Sequence, residues 1–358
     1  MQAFGERLKQ ARVAAGLSQR ALAEQVNLSP MAISKYENSR MSPSSDVLLR
    51  LARALGVKVG YFNRPLQVSV VCPAFRKHSR LGKKRQGAIE GQIIETLERY
   101  LAVEEVFAPG QLPDFEMPEA CKGSITCVEQ AEDVADRLRQ EWKLGEDPIA
   151  NLCETLEDRG VKVILLEGID DHFDGYSCWA NGSIPVVASR VANDLPGDRQ
   201  RFNLAHELGH LLLEDMITEG VDNEKVCHRF AASFLVPHTA VQQETGGDRD
   251  TIYFEELHSL KHKWGLSMSA WLRRLADRGI ISQTEYEISM RTFSKRGWRQ
   301  VEPGEQVKPE QTGRFERLVQ RAVAEDIISV SRAADFLNRP LIEVRRELGW
   351  PSTGAEAV

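Results

Sequence analysis

Residues 204–213 read LAHELGHLLL, two histidines and a glutamate inside an otherwise apolar stretch. A run of this kind has to be buried, and buried imidazoles need a reason to be there. At helical spacing His206 and His210 lie four apart, one turn along a single face, able to grip one metal ion. Glu207 sits beside them, close enough to take a proton from a water on that ion. The run therefore demands a buried helix faced by a second element. Zinc takes three protein ligands and leaves a fourth position for water, whose pKa falls to about 7. The plain alternative is a pair of core-edge histidines bonded to backbone carbonyls.

The third ligand has to come from elsewhere. Residues 224–237 form the next helical pattern, with Val226, Cys227, Phe230, Ala231 and Phe234 as its buried stripe and Pro237 as its stop. Glu224 and His228 share a face one turn apart. Glu224 is assigned as ligand and His228 as the group that holds a ligating imidazole. The reverse assignment stays open, because imidazole is itself a common zinc ligand.

These two segments together resemble the ImmA/IrrE family of zinc metallopeptidases, which pair a HELGH helix with a downstream E-x-x-C/A-N-x-F-A-x-x-x-L-x-P helix. The resemblance runs over roughly residues 125–240. It implies a zincin-like domain with Glu207 as general base, Glu224 as ligand and Zn2+ as cofactor, Mn2+ being a second fitting ion. Family members cleave, or help remove, a helix-turn-helix repressor. His228 stands where the family usually has Asn.

Charge divides the chain. Residues 1–88 carry sixteen basic and four acidic side chains, a balance of +12, against −18 for the rest. A basic end on an acidic body points to duplex-DNA binding by one module and a different task for the other. Residues 4–64 read as short helices. Phe4, Leu8 and Ala11 keep one apolar face up to Gly16. Ser18 caps a second helix, Ser29 a third with Pro30 at its first position, and Ser44 and Ser45 precede a fourth that ends at Gly56. Two short helices joined by a tight turn make a helix-turn-helix, whose second helix enters the major groove. Ile33 anchors that helix, and Pro30, Met31, Ser34 and Lys35 face the groove. The spacing of Leu17-Ser18-Gln19 to Leu22-Ala23 and of Ile33 to Asn38 resembles the Xre and phage-repressor family. The resemblance implies that Gln19 and residues 29–35 touch DNA and that Arg40 reaches a phosphate. Pro30 and Met31 depart from the glutamines a base reader carries there.

Gln67–Gln86 is basic with little periodicity and reads as a linker or an extension of the DNA footprint. Ala88–Leu101 and Val128–Trp142 read as helices, and 108–124 as a proline-rich loop. Val161–Leu166 reads as a strand. Residues 175–180 and 184–189 read as two more, joined by Asn181-Gly182, a hairpin signal. Beyond residue 250 the pattern is helical throughout. Leu257–Leu275 and Arg314–Leu348 carry helix-turn-helix spacing, better suited to scaffolding, docking or sensing than to DNA. Six scattered cysteines without a CxxC pair read as reduced thiols. Neither a membrane-spanning run nor a signal peptide is present in the pattern, so a cytoplasmic setting is expected.

The fold expected is mainly α with a small α+β zincin-like domain. Its parts are an N-terminal five-helix helix-turn-helix bundle (1–66), a basic linker and helix (67–124), an HExxH peptidase domain (125–245), a helix-turn-helix-like region (250–300) and a C-terminal helical region (305–358). The function expected is a homodimeric transcriptional regulator that binds operator DNA and carries a zinc endopeptidase. Its substrate is a repressor or antitoxin in a stress, phage or mobile-element switch. The rival is a non-catalytic regulator or antitoxin whose peptidase fold senses a ligand or holds a partner.

Overall fold

The computed structural model describes residues 2–63, 68–71, 82–169, 173–192 and 195–349. Four α-helices open the chain: α1 (Gln2–Ala14), α2 (Gln19–Gln25), α3 (Pro30–Glu37) and α4 (Ser45–Leu55). Their starts are set by side-chain caps. Ser18 Oγ accepts from the Ala21 amide, Ser29 Oγ from Ala32 and Ser44 Oγ from Val47, each satisfying a donor that the first helical turn leaves open. Leu8, Leu22, Ala23, Ile33 and Leu51 close the core between them. The fifth element is a 3-10 turn, Val59–Asn63, rather than the fifth α-helix expected. Val57, Val59 and Gly60 are poor helix formers, and Tyr61 and Phe62 are buried.

Helix α5 (Lys83–Glu104) is longer than the segment 88–101 that its apolar pattern marks. Lys83–Gln86, read as part of a linker, form its first turn; residues 67 and 72–81 of that stretch lie outside the described residues. One face of α5 buries Ile89, Ile93 and Leu97 against a sheet. The other receives α1. A Cβ on Gly91 would stand 2.7 Å from Ala14 Cβ, and one on Gly87 3.0 Å from Val13. The two helices touch at backbone distance there, and a buried ion pair, Arg7 to Glu98 at 2.5 Å, closes the same interface.

The sheet has the order β1-β3-β4-β2, with β1 (Val70–Val71), β2 (Lys162–Glu167), β3 (Gly175–Ala180) and β4 (Ile184–Val191). Strands β3 and β4 form the expected hairpin, Gly175 opposite Ser189 and Ala180 opposite Ile184. Asn181 (φ 50°) and Gly182 (φ 78°) hold the positive-φ turn that matches strand twist. Strand β2 runs parallel to β4. The side chains of β2 alternate: Ile164 and Leu166 join the α5 layer, and Val163 joins the opposite one.

That opposite layer is the largest core. It gathers α6 (Gln130–Glu141), α7 (Leu152–Glu157), α8 (Gly197–Leu213), α9 (Asn223–Leu235), α10 (His238–Thr245), α11 (Phe254–Trp264), α12 (Met268–Asp277) and α13 (Gln283–Lys295). Leu260, Trp264, Leu266 and Leu275, four of the residues with helix-turn-helix spacing, are packed in the same cluster as Leu204, Leu208, Phe230 and Phe234, and the fifth, Ala270, is partly buried against it. Helices α14 (Arg314–Ala324), α15 (Val330–Leu337) and α16 (Leu341–Glu347) form a separate cluster around Tyr100, Val103 and Phe107 at the end of α5. Between α13 and α14 the chain crosses the start of α8, where the Gly197 amide donates to Val307 O and Gln200 exchanges two hydrogen bonds with Glu310. Buried Lys261 bridges Asp198 and Glu302 beside it. Among the described residues no helix is long and apolar enough to cross a membrane, and Cys121, Cys127, Cys153, Cys178 and Cys227 are free thiols. Cys72 lies outside the described residues.

Candidate metal centre

Helix α8 carries His206, Glu207 and His210, and α9 carries Glu224 and His228. The Asp222 carboxylate caps α9, accepting from the Lys225 amide, so Glu224 falls in the first turn with its side chain across from α8. The two helices approach closely because of Gly209, the glycine of HELGH. A Cβ there would meet Phe230 Cδ1 at 3.1 Å and the Cys227 Cα at 3.4 Å.

The donor atoms converge. His206 Nε2 and His210 Nε2 are 3.0 Å apart, and the two Glu224 oxygens lie 3.4 Å from one and 3.4 Å from the other. Atoms bound to one zinc at about 2.0–2.1 Å in a tetrahedron stand about 3.3 Å from each other. Two imidazole nitrogens and a carboxylate form a donor set suited to zinc. The residues present therefore fit a divalent ion. His228 is also near: its ring centroid lies 4.4 Å from that of His206, and its Nδ1 lies 2.7 Å from the Glu224 carbonyl oxygen. Ligand atoms of His206, Glu224 and His228 all fall within 4.8 Å of one another.

Glu207 points away from α9 and up to the sheet. Ser177 Oγ on β3 donates to Glu207 Oε2 at 2.6 Å. Gly175 leaves room for the rest of the carboxylate: a Cβ there would meet Glu207 Cγ at 2.7 Å and Oε1 at 2.8 Å. Desolvation raises the Glu207 carboxyl above the usual range, opposed by His206 and by the Ser177 hydroxyl. Cys227 Sγ lies 3.4 Å from His210 Nδ1 and 3.2 Å from Asn223 Oδ1, and burial pushes its thiol up strongly.

Ser177, Gly175 and Asn223 were not marked by sequence reasoning. Ser177 stands thirty residues before Glu207, on another element, with no spacing to tie the two. Cys227 was marked only as part of a buried stripe.

On α3, Pro30, Met31 and Lys35 are exposed, Met31 at 68%, while Ile33 beneath them is fully buried. Ser29 and Arg40 are exposed and Ser34 half-buried. Gln19 is placed differently. Its Nε2 donates to Glu37 Oε2 at 2.7 Å, and Glu37 is buried and paired with Arg12.

Residues 8–62 match the helix-turn-helix family, and residues 157–276 match the family described as IrrE N-terminal-like domain. The chain thus joins an N-terminal Xre-type helix-turn-helix domain to an ImmA/IrrE-like domain. It is 38% identical over 58 residues to the HTH-type transcriptional regulator ImmR of Bacillus subtilis, covering 16% of this chain and 46% of that protein. Identity is 38% over 55 residues to endothelial differentiation-related factor 1 of Homo sapiens, 15% of this chain and 37% of the other. It is 44% over 55 residues to multiprotein-bridging factor 1 of Candida albicans, 15% and 36%. The chain spans less than half the length of each of these relatives.

Proposed function

We propose that this chain is a DNA-binding transcriptional regulator whose IrrE-like domain is a zinc-dependent endopeptidase acting on a repressor or antitoxin protein. The observation that carries the reading is the convergence of His206 Nε2, His210 Nε2 and the Glu224 carboxylate at spacings a tetrahedral ion requires. When bound there, the ion supplies Lewis acidity and makes water acidic enough to attack an amide near neutral pH. The chain's own groups do the rest. His206, His210 and Glu224 would hold the ion. Glu207, kept in place by Ser177 and fitted against Gly175, accepts the proton of the attacking water and returns it to the leaving amine. The His228 ring lies beside that of His206, tilted by 42°, and its Nδ1 donates to the Glu224 carbonyl, bracing both helices. The closeness of its ligand atoms to those of His206 and Glu224 favours a second reading, in which His228 ligates the ion.

The DNA-binding part rests on the exposed face of α3, where Ser29, Pro30, Met31, Ser34 and Lys35 meet the major groove and Arg40 a phosphate. Gln19 contributes through the Arg12–Glu37 pair it braces. The HTH-type regulator among the relatives agrees with an operator-binding role. A homodimer matches the two half-sites such modules read.

Metal analysis of the purified full chain, followed by intact-mass analysis of candidate repressors incubated with wild type and Glu207→Gln, tests the proposal. Expected are roughly one zinc per chain, lost in His206→Ala/His210→Ala, and cleavage by wild type only. A metal-free native protein, or turnover by Glu207→Gln, overturns it.

A further inference from the structure

A histidine that binds an ion through one ring nitrogen carries its proton on the other, and what receives that proton decides the ring's tautomer and angle. For His210 the nitrogen facing the donor cluster is Nε2, 3.0 Å from His206 Nε2 and 3.4 Å from Glu224. Its Nδ1 faces the other way, 3.4 Å from the sulfur of Cys227. That sulfur lies 3.2 Å from Asn223 Oδ1, an oxygen that can only accept. The thiol proton is thus directed to Asn223, which leaves a sulfur lone pair facing the Nδ1 proton of His210.

We infer that Cys227 is a positioning residue for His210, its sulfur accepting from Nδ1–H and so holding Nε2 toward the metal site. The inference rests on the metal-site reading above. The placement follows from α9. Cys227 comes three residues after Glu224, so one helix supplies a carboxylate to the centre and a tether to an imidazole on the helix opposite. Gly209 makes that reach possible, since its missing Cβ lets the Cys227 backbone lie against α8. Cys227 is fully buried, out of contact with water that would compete for Nδ1.

Titration of the metal-stripped full chain with Co2+, read by its visible absorption, tests the inference on wild type, Cys227→Ala and Cys227→Ser. Serine keeps an acceptor and a donor at the position, whereas alanine keeps neither. Cys227→Ala is expected to weaken Co2+ binding about tenfold or more, with the metal-free protein still folded. Cys227→Ser is expected to restore most of the affinity. Wild type is expected to show no intense thiolate-to-cobalt charge-transfer band. Wild-type affinity in Cys227→Ala, or Cys227→Ser as weak as Cys227→Ala, overturns the positioning role. A thiolate band overturns it in a different way, by making Cys227 a ligand. If Cys227→Ala does not fold, the comparison of Cys227→Ser with wild type decides, and loss of binding in a folded serine variant refutes it. Wild type that binds neither cobalt nor zinc refutes the metal reading itself, a result that none of the variant comparisons can mimic.

Discussion

Glu157 on α7 is almost fully buried, at 2% exposure, where α7 meets the end of α5. Tyr100 donates to its Oε1 at 3.3 Å, and its Oε2 has no hydrogen-bond partner among the described residues. Burial pushes its carboxyl from 4.5 up to about 7, against the opposing pull of Arg314, Tyr100 and Arg317. The folded chain thus holds this proton more tightly than the unfolded chain does. The favourable contribution is fully present below the unfolded value and is lost as pH rises through the folded one. The interval from 4.5 to about 7, at about 1.4 kcal/mol per pH unit, amounts to about 3 kcal/mol. Glu157→Gln keeps the shape and removes the titration. Its stability relative to wild type is expected to be near zero at pH 4.5 and to climb to about 3 kcal/mol in the variant's favour by pH 8. Thermal midpoints of the two proteins, measured side by side in half-unit steps across that range, follow the difference directly. A constant offset at every pH, or a difference that grows toward acid, would show that Glu157 folds as an ordinary ionised carboxylate.

Glu224→Ala is expected to lose metal while His228→Ala keeps it, by metal analysis after gel filtration; the opposite pattern makes His228 the third ligand. Gly175→Ala places a methyl 2.7 Å from Glu207 Cγ. The end of the glutamate side chain yields before backbone does, so proteolysis should fall by at least about tenfold (roughly 1.4 kcal/mol). Metal content should be unchanged, and metal loss would place the clash elsewhere. Lys35→Ala in the full chain should weaken operator binding and reduce the salt slope by about one, whereas an unchanged slope in fluorescence anisotropy removes Lys35 from the phosphate contacts.

The features legible in the sequence are those with short-range causes. Ser18, Ser29 and Ser44 mark helix starts because a cap needs only its own next turn. Asn181-Gly182 marks the hairpin because few other pairs adopt two positive φ angles in succession. His206 and His210 are neighbours by helical geometry alone, and Glu224 and His228 share a face of α9 for the same reason. The features that escaped depend on distant partners. Strand β1 is two residues long, and the chain entering it is held by Asn181, whose Oδ1 accepts from the Ser69 amide. No local propensity encodes that. The apolar count of α5 ends at Leu101, yet its last turn is secured by Val103 packing against Val319 and Ala322 more than two hundred residues away. Ser177 reaches Glu207 only once hairpin and helix have stacked. Gln19 Nε2 donates to the buried Glu37 carboxylate on another helix, a tertiary contact invisible to spacing.

Helix α5 has α1 pressed on one face at backbone distance and the sheet on the other. A module on a slack tether would let two copies of the chain sample many separations on DNA, at the cost of freezing that freedom on binding. A docked module has no such freedom to lose. Half-sites one turn of B-DNA apart are spaced by about 34 Å. For a pair of these chains, the operator spacing accepted would be dictated by how the IrrE-like bodies meet rather than by the length of the connecting segment. Inserting residues ahead of α5 should leave that spacing unchanged, whereas a leucine at position 91, by prising α1 from α5, should make it permissive.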